Sequence, residues 1–222
     1  MLKNLWKTYG HYLLIPVIII LNFVLNWLTQ NIKPRFQMAA RLDHVVPFLK
    51  GFVIPYFICI VFIVIVPLFL AIKSRKAFTQ YSTLVITGQV ICVLVYLIYP
   101  NSQNLRPDVM SNDIFSRMIL AIYRRNFIAN AAPSIHVLYS LAAHFGLMRY
   151  EPFSKHKILP FLLCVFTLIF IISTMFIKQD SVLDVLSGIL LSFALYILIY
   201  KEKPDGKKYG PLGNFRKQNN IG

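Results

Sequence analysis

Acidic side chains are scarce in this chain. Eight Asp and Glu stand against 23 Lys and Arg, and charged residues of both signs make up only 14% of the 222 residues. A soluble globular domain carries about 25% charged residues, so the composition excludes an ordinary water-soluble domain. Cysteine is rare as well: Cys59, Cys92 and Cys164 all lie inside apolar runs. Their odd number and surroundings exclude a disulfide framework, because a buried thiol behaves as a small hydrophobe. There is no internal repeat. The net charge of +15 is not accompanied by any RNA- or DNA-binding pattern, so it does not point to nucleic acid. The first apolar run is long and lacks a small-residue cleavage site, which makes it a retained helix rather than a signal peptide.

What the chain has in abundance is apolar length. Hydrophobic residues make up 57% of it, and several runs reach the roughly 20 residues that a helix needs to cross a bilayer. The pattern predicts an all-α, polytopic membrane protein, a bundle of six transmembrane helices. They run from Tyr12 to Leu28, Phe52 to Ile72, Ser82 to Tyr99, Ser134 to Met148, Ile158 to Ile177 and Ser181 to Tyr200. The fourth is short and contains His144, which places it inside the bundle. Residues 1–200 form this membrane domain. Residues 201–222, basic and rich in Gly, Pro and Asn, form a disordered cytoplasmic tail within reach of anionic headgroups.

Charge sets the orientation. With the N-terminus inside, inner segments carry 14 Lys and Arg and outer segments carry nine: Lys33, Arg35, Arg41, Lys50, Arg106, Arg117, Arg124, Arg125 and Lys178. The bias places both termini in the cytoplasm. The outer cations share their connections with three polar stretches, which suggests that some of them serve an anionic ligand.

The first stretch, YPNSQNLRPDV, holds Arg106 before Pro107. The second, NAAPSIHVLYS, puts Ser134 and His136 at the start of a helix. Pro133 suits a first helical turn, the free N–H groups after it can receive an anion, Ser134 adds a hydroxyl, and His136 can hand a proton to a leaving oxygen. A capped helix start with an incidental histidine explains the same residues. The third stretch, ISTMFIKQDSVLD, holds Ser173, Lys178, Asp180 and Asp184. The two aspartates lie four apart and share a helical face. Ionisable groups at such a depth point to function, although a lysine–aspartate cap at the membrane boundary would look alike.

Taken together, the three stretches resemble the type 2 phosphatidic acid phosphatase superfamily, the lipid phosphate phosphatases. That signature reads KxxxxxxRP, PSGH and SRxxxxxHxxxD. Here the corresponding residues are Tyr99 and Arg106-Pro107, then Pro133-Ser134-Ile135-His136, then Ser173-Thr174, Asp180 and Asp184, with every spacing kept. The segment STMFIKQDSVLDVLSG is similar to a bacterial branch grouped with inositol phosphotransferases. The resemblance implies a six-helix fold and metal-independent phosphoryl transfer on a lipid phosphate at the outer face of a bacterial plasma membrane, with no cofactor. His136 would be the general acid and Asp184 the group that orients the nucleophile. Arg106, Ser134 and Ser173 would hold phosphate. The partners implied are the lipid phosphate and the bilayer; nothing in the sequence indicates an oligomeric state.

The departures fall on charged positions. Tyr99 replaces the first lysine and Thr174 replaces an arginine, a charge that Lys178 could supply. Ile135 replaces a glycine, and Asp180 stands where the family has its nucleophilic histidine. Asp180 could accept a phosphoryl group itself. It could join Asp184 and His136 around a divalent ion. It could abolish turnover by repelling phosphate, or it could be an engineered replacement. The alternative to an enzyme is therefore a silent relative that binds a lipid phosphate as regulator, partner or carrier. A transporter is disfavoured by the lack of paired broken helices and of half-to-half symmetry.

Overall fold

The structure is a computed structural model that describes residues 10–38, 40–108, 113–125 and 132–200. The expected cytoplasmic tail, 201–222, lies outside the described residues. Nine α-helices account for most of the described chain: α1 (Leu14–Asn31), α2 (Leu42–Val45), α3 (Val53–Lys73), α4 (Arg75–Ile98), α5 (Ile114–Arg125), α6 (Ile135–Arg149), α7 (Glu151–Ser154), α8 (Leu159–Phe176) and α9 (Val182–Ile199). The fold is all-α, as expected. Two two-residue strands, β1 (Phe36–Gln37) and β2 (Asn101–Ser102), pair in parallel and tie the connection after α1 to the one after α4.

Among the described residues, five helical segments are long and apolar enough to cross a membrane: Gly10–Asn31, Lys50–Lys73, Arg75–Ile98, Leu159–Phe176 and Val182–Ile199. The sixth expected crossing, Ser134 to Met148, is the 15-residue α6. At 1.5 Å per residue that helix is about 22 Å long, short of a bilayer core of about 30 Å. It packs against α3, α4, α8 and α9, and most of its residues, including Val137, Leu138, Ala142 and Phe145, are buried. The helices around it are apolar on both sides. Their inward faces supply Tyr56, Leu70, Phe78, Leu84 and Phe170 to the core. Their outward faces leave Ile58, Val61, Ile65, Phe161 and Leu168 exposed, as suits a lipid-facing surface.

The start of α4 and the presence of α5 differ most from expectation. α4 begins seven residues earlier than the predicted Ser82, at Arg75, where the Ser74 hydroxyl caps it by accepting from the Ala77 N–H at 3.3 Å. Its first two turns carry Arg75, Lys76, Thr79 and Gln80, so they do not stand out as apolar. α5 falls in a segment whose apolar run, 118–123, is too short to cross a bilayer. It forms because Ser116, Ile119 and Ile122 recur at helical spacing and are buried, while Arg117, Ala121 and Arg124 face out.

Candidate functional site

One end of the bundle collects the polar stretches. It is built first by the way α8 stops. The Gln179 N–H donates to the Thr174 carbonyl at 2.8 Å and the Lys178 N–H to the Met175 carbonyl at 3.0 Å, the paired bonds of a Schellman ending. Lys178 occupies the left-handed position, at φ 52°, usually taken by glycine. The chain then turns sharply, leaving Asp180 buried at 5% exposure just before α9. Ser181 caps α9 in a reciprocal box: its hydroxyl accepts from the Asp184 N–H at 3.1 Å, and the Asp184 carboxylate accepts from the Ser181 N–H at 2.8 Å.

The second stretch meets Asp180 from α6. Ser134 is the N-cap of α6 and accepts from the Val137 N–H at 3.3 Å. Its hydroxyl also donates to the Asp180 carboxylate at 2.8 Å. Its backbone N–H donates to the Asp184 carbonyl at 3.0 Å, so α6 and α9 are joined through their first turns. Pro133 precedes the cap, with a cis bond from Ala132, rather than occupying the first turn as the sequence suggested. The Tyr96 hydroxyl donates to the Pro133 carbonyl at 3.1 Å. Asn101 pairs reciprocally with the backbone of Ala132, both bonds at 3.0 Å. His136 lies with Nδ1 3.9 Å from the Asp180 carboxylate and Nε2 3.2 Å from the Tyr56 hydroxyl of α3.

The first stretch arrives through Arg106. Its guanidinium donates to the Tyr123 carbonyl at 3.1 Å and to the Gln179 side-chain oxygen at 3.4 Å. It also lies over the Tyr123 ring, 4.4 Å from the centroid, in a cation–π arrangement. Burial pulls its pKa down, while Tyr123, Tyr56 and Asp180 push it up. Its Nε is buried without a hydrogen-bond partner among the described residues. The Tyr123 hydroxyl donates to the Ile177 carbonyl at 2.6 Å, so α5 holds Arg106 against the end of α8.

Arg106, Ser134, His136, Asp180 and Asp184 therefore converge on one end of the bundle. Ser173 does not join them. It is fully buried, and its hydroxyl donates at 2.7 Å to the Phe170 carbonyl of its own helix. Lys178 does not reach Asp180 either. Its ammonium donates to the carbonyls of Asp43 at 2.7 Å and Val46 at 2.6 Å. Burial draws the Lys178 pKa down and Asp43 opposes this. Asp184 makes no hydrogen bond or ion pair with His136 among the described residues; its second carboxylate oxygen is buried without a hydrogen-bond partner there. Tyr99, at the position of the expected lysine, stacks on Phe36 with ring centroids 4.2 Å apart. Asp180, Asp184 and His136 are not spaced to hold a metal ion as a group of three, among the described residues.

Several residues at this end escaped the sequence reading. Tyr56 was an aromatic in an apolar run, Tyr123 belongs to no motif, and Gln179 lies in the third stretch without an assigned role. Asp43 is buried at 3% and accepts from the Ala40 and Val182 N–H groups, both at 2.7 Å. It pins the connection after α1 over the start of α9. Only the helical spacing of 114–125 could have drawn attention to Tyr123.

Chemically, this end offers a hydroxyl that donates to the Asp180 carboxylate, an imidazole 3.9 Å from it and a guanidinium held on the neighbouring Gln179. The Asp180 oxygen accepts from Ser134 and faces His136, so it occupies the place of an anion. Comparisons with protein-family models, with curated proteins and with solved structures return no match.

Proposed function

We propose that the chain is an integral membrane lipid phosphatase or phosphotransferase, with Asp180 at the position that attacks phosphorus. The observation that supports this reading is the approach of Ser134 and His136 to Asp180, with Arg106 bonded to the adjacent Gln179, from three stretches far apart in sequence. Arg106 and Ser134 would hold the phosphoryl oxygens. An Asp180 oxygen would bond to phosphorus as the ester or anhydride P–O bond breaks. His136 would pass its proton to the departing oxygen, an alkoxide from a phosphomonoester or a phosphate from a pyrophosphate. Water, deprotonated by His136, or an acceptor alcohol would then take the phosphoryl group from the carboxylate. The substrate would be a lipid phosphate such as phosphatidic acid, phosphatidylglycerol phosphate or a polyprenyl pyrophosphate, its tails remaining in the bilayer. In this reading α6 crosses within the bundle as a sixth span. Both termini face the cytoplasm, the Asp180 end faces out, and the membrane is bacterial.

A second reading is favoured by the 2.8 Å bond from Ser134 to Asp180. A carboxylate that already takes the phosphate donors competes with phosphate and repels it. At about 4 Å and an effective dielectric near 20, a like-charge contact costs about 4 kcal/mol. The chain would then be a silent relative that binds lipid phosphates weakly.

Phosphate release from short-chain lipid phosphates, measured with a chelator present, separates the two. An active enzyme releases phosphate and loses turnover by about 100-fold or more in His136→Ala. A silent relative releases none until Asp180→His restores an imidazole. No release by either chain overturns the enzymatic reading.

A further inference from the structure

The end of the bundle away from Asp180 carries a separate cleft. α6 and α9 both start beside Asp180 and run away from it, and between their last turns lies a cavity of about 300 Å³. Phe145, Arg149, Phe193, Tyr196 and Tyr200 line it. The rings form a continuous wall: Phe145 lies 4.4 Å from Tyr196 and 5.4 Å from Phe193, and Tyr196 stacks on Tyr200 at 4.9 Å. Phe193 and Tyr196 are 47% and 38% exposed, so the cleft opens on the lipid-facing side. At its inner edge the Tyr200 hydroxyl is buried with no hydrogen-bond partner among the described residues, and Arg149 lies within electrostatic reach of it.

We infer that this cleft binds an anionic phospholipid from the leaflet at that end. The headgroup would lie against Arg149 and the Tyr200 hydroxyl, and an acyl chain along Phe145, Phe193 and Tyr196. A buried hydroxyl without a partner is costly, and a phosphate oxygen would satisfy it. Arginine suits that oxygen because its planar fork can give two parallel N–H bonds. Aromatic residues at the end of an apolar helix belong at the headgroup level. The same end is basic. The Phe69–Tyr150 ring contact at 5.5 Å brings the α3–α4 turn, with Lys73, Arg75 and Lys76, beside the end of α6. Such a cluster attracts anionic headgroups. The inference needs none of the residues around Asp180.

Native mass spectrometry of the full chain in a non-ionic detergent tests it, with phosphatidylglycerol, phosphatidylcholine and sodium phosphate as probes. Phosphatidylglycerol is a phosphodiester, so release of a phosphomonoester does not consume it. Phosphatidylglycerol should be retained about tenfold more tightly than phosphatidylcholine, with no competition from inorganic phosphate. Arg149→Gln should remove that preference, Arg149→Lys should keep most of it, and Tyr200→Phe should weaken it a few-fold. Arg106→Gln, at the opposite end, should leave it unchanged. Equal retention of the two lipids, a preference that survives Arg149→Gln, or displacement by inorganic phosphate would overturn the inference.

Discussion

Lys178 shows how one residue can serve two levels of structure. A non-glycine residue in the left-handed region costs about 1–2 kcal/mol, and Lys178 sits there at φ 52°. Its ammonium offsets that cost with two bonds, to the carbonyls of Asp43 and Val46, each worth about 1.5–3 kcal/mol for a charged donor. The predicted order of thermal stability is therefore wild type, then Lys178→Gly, then Lys178→Ala. Glycine relieves the backbone while losing the amine bonds, and alanine keeps the strain and loses them too. Thermal unfolding in detergent checks the order, and a glycine variant more stable than wild type would contradict it. Ser134→Ala should lower stability by about 1–3 kcal/mol, through the lost cap of α6 and the lost bond to Asp180. At this scale the sequence was a partial guide. It marked Lys178 as a functional cation, but the direction of its side chain follows from the turn after α8 and from a segment more than 130 residues away. Ser134 was legible because a serine after proline and before an apolar run is a cap signal.

Among the elements, the crossing of α6 and α9 decides whether the site exists. Gly188 makes that approach possible: a Cβ there would lie 2.9 Å from the Ser134 carbonyl oxygen and 3.1 Å from the Val137 Cβ. Backbone cannot yield as a side-chain tip does. Gly188→Ala should cost about 1–3 kcal/mol and displace Ser134 from Asp180. Gly51→Ala, where a Cβ would meet nothing within 4 Å, should leave stability unchanged within about 0.5 kcal/mol. Equal effects of the two substitutions on unfolding would refute this account of the packing. The long apolar helices α1, α3, α8 and α9 were legible from run length alone. α5 was not, because its apolar run, 118–123, is only six residues long and is flanked by Ser116, Arg117, Arg124 and Arg125. Its Tyr123 holds Arg106, so a support of the candidate site was hidden in an apparently featureless connection.

For the whole molecule, the polar ends of α6, α8 and α9 and the basic turns lie at opposite ends of the bundle. Single cysteines at Asn104 and Lys155, in a chain whose own three cysteines are replaced by alanine, should label from opposite sides of the membrane with an impermeant maleimide. Labelling of both from one side would remove α6 as a crossing. The number and order of apolar runs made the all-α membrane architecture readable. The interior position of α6 was readable too, from its shortness and His144; its crossing was not, because a 15-residue helix is shorter than a bilayer core. The meeting of three polar stretches was readable only as an ordered pattern. The contacts that effect it, Ser134 to Asp180 and Arg106 to Gln179, join residues 46 and 73 positions apart and depend on the packing of α5, α6, α8 and α9.

The most direct test of the whole account is the equilibrium affinity of a short-chain phosphatidic acid for the wild type and for Asp180→Asn, which removes one negative charge at nearly constant volume. If Arg106, Ser134 and His136 form an anion site that the Asp180 carboxylate now occupies, the substitution should tighten binding by up to about a thousandfold. Adding Arg106→Gln or Ser134→Ala should cancel most of that gain. An affinity that does not change with Asp180→Asn, or a gain indifferent to Arg106 and Ser134, would contradict a shared phosphate site at this end of the bundle.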